Sequence, residues 1–271
     1  MSDFVRITIL GCGSSGGVPR INGDWGACDP NEPRNMRSRC GLLVQGWKGE
    51  GRDEAAATNV LIDTSPDLRM QVLRAGIKHV DAVIFTHDHA DQVHGIDDLR
   101  AFALAMQRKA PVHMDAPTRA TLMARFGYCF QPTRFYPPIL EDASEIVPFR
   151  PLTITGEGGD IAFLPLPQDH GGRPSLGFRM GPVGYCNDLV ALPEESFAAL
   201  EGVDTFIVDA LRYTPHPTHA HLALALEWIA RLRPRRSILT NLHIDLDYRR
   251  LSEELPPGVE PAFDGMTVEI G

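Results

Sequence analysis

No stretch of this chain reaches the roughly 18 consecutive apolar residues that a bilayer span needs, and Met1-Ser2-Asp3-Phe4-Val5-Arg6 lacks the basic region and apolar core of a secretion signal. A membrane partner is not expected, and the cytoplasm is the expected location. Cysteines are few and scattered: Cys12, Cys28, Cys40, Cys129 and Cys186 are odd in number and form no Cys-x-x-Cys pair. They suggest neither a disulfide framework nor a four-cysteine zinc site, and reduced thiols are expected. Basic charge is also short, since 26 Lys and Arg face 35 Asp and Glu for a formal charge of -9. That balance disfavours a long groove for nucleic acid but allows a local pocket for one anionic ligand beside a cation. Small substrates are favoured over polymers, and a homodimer is compatible with the composition. With 271 residues, 43% of them hydrophobic, the chain can bury an ample core.

The most informative stretch is Thr86-His87-Asp88-His89-Ala90-Asp91-Gln92-Val93-His94-Gly95. It follows Ala82-Val83-Ile84-Phe85, a partly β-branched apolar run that reads as a buried strand, and it leads into a turn and a helix. His87 and His89, two apart on extended chain, point to one side, and Asp91 follows as the chain turns. Two imidazoles and a carboxylate at a solvated strand end suit zinc, manganese or iron, with room for a bound water.

Elsewhere, strands and helices alternate. Arg6 to Leu10 reads as a strand, and the glycine-rich Gly11 to Pro19 behind it serves either to hold a phosphate or as a tight turn. Asn22 to Ser38 reads as a long loop, and Arg34, Arg37 and Arg39 at its end either meet a phosphate or stay solvated. Strands are expected at 41–45 and 59–63, then a helix to Ala75 capped by Ser65 and closed by Gly76. A helix over 97–108, a strand over 111–114 and a helix over 118–126 follow, with His113 structural. The strand 161–166 leads to Gln168-Asp169-His170, and the hairpin after it ends at Asn187-Asp188. A helix over 194–200 and a buried strand over 205–210 precede Pro217-Thr218-His219-Ala220-His221, which opens the amphipathic helix 222–232. A last strand spans 236–245. Such alternation with short links argues for an α/β or α+β layer fold.

His-x-His-x-Asp after an apolar strand resembles the signature of the metallo-β-lactamase superfamily. Leu10-Gly11-Cys12-Gly13, Gly16-Gly17-Val18-Pro19 and Phe263-Asp264-Gly265-Met266 resemble one branch of it, the phosphoribosyl cyclic-phosphate phosphodiesterases. The resemblance implies a four-layer αββα sandwich as one metallo-hydrolase domain over residues 1–271. It implies one or two divalent ions, zinc or manganese: His87, His89 and His170 hold the first, Asp91 and Asp188 serve the second, and Asp63 orients a ligand histidine. Where the family has two further histidines this chain has Gln92 and Asn241. A histidine lies two residues beyond each, so His94 and His243 are candidate replacements, and the amide oxygens of Gln92 and Asn241 are the alternative. More oxygen donors would shift the second site towards manganese or magnesium. Some relatives in this branch hold a structural zinc with closely spaced cysteines; with only Cys28 in that loop, none is expected.

The implied reaction is hydrolysis of a small cyclic phosphate of ribose or of a nucleotide by a metal-bound hydroxide. Asp91 and His219 are then the catalytic residues, with His219 protonating the departing sugar oxygen, and His219 and His221 contact the substrate. Two alternatives are another hydrolase of this fold, acting on a thioester, a lactone or RNA, and a non-catalytic nucleotide-binding relative with a degraded second site.

Overall fold

The computed structural model describes residues 1–49 and 51–271. The chain divides into two compact units, one made of Met1–Leu10, Gly41–Ala162 and Thr267–Gly271, the other of Gly11–Cys40 and Phe163–Met266.

In the first unit the strands β1 (Phe4–Gly11), β2 (Gly41–Trp47), β3 (Thr58–Ile62), β4 (Ala82–Ile84), β5 (Ala110–Met114), β6 (Leu140–Glu145) and β14 (Thr267–Ile270) form one sheet in the order β14-β1-β2-β3-β4-β5-β6. β2 and β3 are antiparallel, whereas β3, β4, β5 and β6 run parallel. Parallel neighbours need crossovers, and α1 (Leu68–Ala75), α2 (Ala90–Val93), α3 (Arg100–Met106) and α4 (Ala116–Phe130) supply them. Strand residues Leu43, Leu61, Val83 and Val112 share one core with Leu68, Ile96, Leu99 and Leu122 from the helical side. The short β7 (Leu152–Ile154) follows β6 in the chain.

The strands of the second unit lie in the order β13-β12-β11-β10-β9-β8, where β8 is Ile161–Asp169, β9 Pro174–Met180, β10 Val183–Cys186, β11 Thr205–Asp209, β12 Arg236–Thr240 and β13 Val259–Pro261. β9 is antiparallel to both β8 and β10, and β10, β11, β12 and β13 are parallel. Hence β8, β10, β11 and β12 all end at one edge. The helices of this unit are α5 (Glu194–Leu200), α6 (Leu222–Leu232) and α7 (Tyr248–Glu254). α6 turns Leu222, Ala225, Trp228 and Ile229 inward, the spacing of one helical face, onto Phe206, Val208 and Leu239.

Most expected elements are present, with informative differences. The helix expected over 97–108 is a 3-10 turn, Ile96–Leu99, followed by α3, and Gln107 at φ 53° ends it. α1 starts at Leu68 with Asp67 as its N-cap, because the Ser65 hydroxyl accepts from the Asp67 N–H and closes a turn before the helix. The last strand stops at Thr240, where Asn241 turns to φ 61°. Of the three arginines before β2, Arg37 is not solvated. It is 2% exposed, with its guanidinium on Asn35 Oδ1 at 3.1 Å and the His243 carbonyl at 3.4 Å. Among the described residues no helix is long and apolar enough to cross a membrane.

Candidate metal centre and its cleft

At the edge of the first sheet, the register of β3 on β4 sets Ile62 opposite Ile84, so the residues that follow them meet. Asp63, at φ 67°, accepts the Thr86 N–H on Oδ1 and the Thr86 hydroxyl on Oδ2, both at 2.8 Å. With its proton given to Asp63, the Thr86 oxygen can only accept, and it lies 3.0 Å from His87 Nδ1. Nδ1 therefore carries the ring proton, and Nε2 keeps the lone pair that a cation needs. The Asp63 carboxylate thus acts on His87 through Thr86 and not by direct contact. Burial pushes its carboxyl up to about 8, Asp91 adds to that, and the two bonds from Thr86 pull the other way.

His89 caps α2, its carbonyl accepting from Gln92 and Val93, and its ring stands edge-on to His87 with centroids 4.6 Å apart. Gly95 is required where α2 ends, since a Cβ there would overlap the Ser65 carbonyl. Asp91 is half-buried, and the Gln92 amide Nε2 donates to its Oδ2 at 3.5 Å. His94 is exposed and packs edge-on against Phe126, centroids 5.8 Å apart.

At the edge of the second unit's sheet, His170 follows β8, Asp188 follows β10, Asp209 ends β11 and Asn241 follows β12. The Thr218 carbonyl lies 2.6 Å from His170 Nδ1, so that nitrogen is the donor and Nε2 carries the ring lone pair. His170, Asp188 and His219 each bring a ligand atom within 4.8 Å of the others. His219 Nδ1 is 2.9 Å from Asp209 Oδ2 and 3.7 Å from Asp188 Oδ1. Asp209 is fully buried and also accepts the Leu189 N–H at 3.3 Å. Burial pushes its carboxyl up, and the hydrogen bond from His219 opposes that rise.

Both Asp188 oxygens receive amide N–H groups, Oδ2 from Asn187 at 2.5 Å and Oδ1 from Asn241 at 3.4 Å. Asn241 Nδ2 also lies 3.1 Å from His219 Nδ1. His243 lies away from this cluster: Arg20 Nη2 is 2.6 Å from its Nε2, and Asp245 Oδ1 is 2.8 Å from its Nδ1. His221 is the N-cap of α6, its carbonyl accepting from Ala225.

A cleft of about 350 Å³ in the second unit is lined by Ser14, Ser15, Gly16, Arg20, Leu211, Arg212, His216, His219 and His243. His219 is the member of the ligand cluster that reaches it, with the His216 ring 5.1 Å away. Burial, and then the neighbouring His219, Arg212 and His243, hold His216 below its ordinary value. Sequence reading passed over Arg20, Arg212, His216 and Asp209. Only Asp209 carried a local signal, a carboxylate at the end of a buried strand like Asp63.

The donor chemistry fits a divalent cation, because His87 and His170 each have Nδ1 held by an oxygen acceptor, which leaves the ring lone pair on Nε2, the arrangement usual for metal-bound imidazole.

Comparison with known proteins agrees. Residues 58–244 match the family model of the beta-lactamase superfamily domain. The chain belongs to the metallo-β-lactamase superfamily. A crystal structure described as a new diphosphatase from the PhnP family is 32% identical, with a TM-score of 0.85 over 100% of this chain and 98% of that one. The Zn(2+)-bound PqqB of Methylobacterium extorquens, at 17% identity and a TM-score of 0.68 over 97% and 99% of the two chains, shares the fold. A protein of Porphyromonas gingivalis named octanoyltransferase is 30% identical over 269 residues, 98% of this chain. The chain spans about half of that relative's length, 52%. The fold is thus the αββα sandwich of the superfamily, in its PhnP-like branch, and the chain is a metal-binding hydrolase of that fold.

Proposed function

We propose that this chain is a phosphodiesterase that hydrolyses a small cyclic phosphate of ribose or of a nucleotide, the two compact units acting as one metallo-hydrolase domain over residues 1–271. The observation that carries this reading is the placement of His219. Its Nδ1 is held by the buried Asp209, it adjoins His170 and Asp188, and it lines a cleft with two arginines and two further histidines and no carboxylate. In a chain of net charge -9, a lining of that kind favours an anionic substrate. The neighbouring imidazole suits the departure of a sugar alkoxide, which needs a proton.

By the family motif, His87, His89 and His170 are the ligands of the principal ion, with Asp91 and Asp188 as carboxylate ligands. A divalent ion bound by them, zinc or manganese, supplies Lewis-acid activation of water and offsets charge on the phosphoryl oxygens. Asp209 keeps His219 Nδ1 as a donor towards the carboxylate, so that Nε2 is the atom that hands a proton to the leaving oxygen. The Asp63-Thr86 pair fixes His87 in the tautomer a ligand requires.

A second reading has one observation behind it. The relative named octanoyltransferase suggests acyl chemistry, and thus a thioester or lactone substrate. The cleft speaks against an acyl chain, as Leu211 is the single large apolar side chain in its lining. Turnover of adenosine 2′,3′-cyclic phosphate, bis(4-nitrophenyl) phosphate, an acyl thioester and a lactone by one metal-loaded preparation separates the readings. Phosphodiester turnover is expected to dominate, and thioester turnover above both phosphates would replace this proposal with the acyl one.

A further inference from the structure

Phe263-Asp264-Gly265-Met266 follows β13 as a turn, closed by the Met266 N–H on the Phe263 carbonyl at 3.0 Å. The Asp264 carboxylate bridges two other segments of the chain. Its Oδ1 accepts from Cys12, through the backbone N–H at 3.2 Å and the thiol at 3.6 Å. Its Oδ2 accepts from Ser38, through the backbone N–H at 2.8 Å and the hydroxyl at 2.6 Å. Burial pushes the carboxyl up, and the bonds from Ser38 and Cys12 oppose that rise. An ionised carboxylate offers two acceptor oxygens and no donor, so an amide in its place would set an N–H against one of these N–H groups.

The segments so joined are the two banks of the glycine-rich loop. The Gly13 N–H donates to the Ser38 carbonyl at 2.8 Å, and Val18 and Arg37 exchange backbone hydrogen bonds at 2.9 Å. On the other side Leu242 donates to the Cys12 carbonyl at 2.8 Å and accepts from the Ser14 N–H at 3.2 Å. Glycine is required at position 13, where a Cβ would lie 2.9 Å from the Arg37 carbonyl oxygen. Ser14, Ser15 and Gly16, next along the chain, line the cleft that His219 reaches, whereas Asp264, Cys12 and Ser38 stand outside that lining among the described residues. Any effect of Asp264 on a ligand therefore passes through the loop. A loop of this composition has many conformations open to it, and a ligand that had to order it would lose that entropy from its affinity.

We propose that Asp264 is a positioning residue for the wall formed by Ser14, Ser15 and Gly16: by clasping Cys12 to Ser38 it fixes that wall before the substrate arrives, and so acts on substrate affinity and not on the chemical step. That the wall faces the substrate rests on the reading of the cleft as the substrate site, while the clasp itself is read without substrate.

Asp264→Asn, Ser38→Ala and Ser38→Thr, each metal-loaded, test it in two ways. In labelling with iodoacetamide, mapped by mass spectrometry, the buried Cys12 should react at least about tenfold faster in Asp264→Asn than in the wild type, while Cys129 and Cys186, buried in the cores of the two units, keep their wild-type rates. KM and kcat are read on adenosine 2′,3′-cyclic phosphate or, where that is inert, on whichever of an acyl thioester and a lactone is turned over. Asp264→Asn should raise KM about tenfold, with kcat within about threefold of the wild type and metal content unchanged. Ser38→Ala, which keeps the backbone arm of the clasp, should raise KM less, and Ser38→Thr, which keeps the hydroxyl, should stay near the wild type. Unchanged labelling of Cys12 in Asp264→Asn would overturn the clasp. Faster labelling of all three cysteines together would make Asp264 a general support of the fold and overturn the positioning role, as would an unchanged KM or loss of metal in Asp264→Asn. A raised KM for the thioester or the lactone, with cyclic phosphates inert, would uphold the clasp and sink the phosphodiesterase reading.

Discussion

The edge of the first sheet at β3 and the edge of the second unit's sheet at β10 and β12 share a backbone device and differ in what their side chains are tied to. Each strand end turns through a left-handed Asp or Asn, at Asp63, Asp188 and Asn241, with φ between 54° and 67°. These are the residue types besides glycine that tolerate such a turn best. At the first edge the turn starts a relay, Asp63 to Thr86 to His87, that ends on an imidazole with its lone pair to spare. At the second edge the turn carries amides, and Asn187 and Asn241 place N–H groups on both oxygens of Asp188. An amide N–H has no lone pair for a cation, so the turn at Asp63 orients an imidazole to ligate, whereas the turns at Asp188 and Asn241 tie a carboxylate to amides.

The largest effect that sharpens this contrast lies with the imidazoles. His87→Ala and His170→Ala should each release the tightly held ion, with circular dichroism unchanged and turnover down by on the order of 10³ or more, because the ion supplies the activated water. Metal analysis decides, and unchanged content in either variant removes that residue from the site.

Next is the proton donor. His219→Ala should lower turnover of adenosine 2′,3′-cyclic phosphate by about 10² to 10⁴ with metal content retained, and Asp209→Asn should follow with a smaller loss. Bis(4-nitrophenyl) phosphate, whose leaving group needs little protonation, should lose much less in both. Equal losses on the two substrates would assign His219 to binding, and loss of metal would assign it to ligation.

The amides at Gln92 and Asn241 predict a weaker second ion. After dialysis against a mild chelator, wild-type protein should retain roughly one ion per chain, and the double substitution Gln92→His with Asn241→His should raise that towards two, since imidazole offers the lone pair the amides lack. Two ions equally retained by the wild type would show that the amides turn their oxygens to the cation.

The smallest effect concerns a charge remote from the metal. Glu32 is 1% exposed between Arg34 Nε at 2.7 Å and Arg249 Nε at 2.6 Å, and their hydrogen bonds hold its carboxyl down to about 2. A depressed carboxyl stabilises the fold fully above its ordinary value of about 4.5, and that contribution is lost as pH falls from there towards 2. Thermal midpoints of wild type and Glu32→Gln over that range should converge on acidification. Parallel curves would show that the pair adds nothing that titrates.

Much of this architecture was legible along the chain because buried strands write themselves as apolar runs. Val60-Leu61-Ile62, Ala82-Val83-Ile84 and Thr205 to Asp209 are such strands, and α6 has the bounds its periodicity suggested. β6, Leu140–Glu145, was not legible, since it lies at a sheet edge, is mostly exposed and carries three acids in six residues. The ligand candidates were readable by their place at strand ends. The cleft was not, because Ser14 to Arg20, Leu211 to His216 and His243 meet only through the order of strands in the sheet, and no local pattern in any of the three announces the others. For the same reason His243, two residues past Asn241, suggested a substitute ligand until Arg20 and Asp245 were found on its two nitrogens.

The most direct test of the central claim is turnover of adenosine 2′,3′-cyclic phosphate by one preparation, first as purified, then after chelation, then after return of zinc or manganese. The account predicts ring opening to a phosphate monoester that disappears on chelation and returns with the ion. Undiminished turnover by the chelated protein, or none by the fully metal-loaded protein, would contradict it.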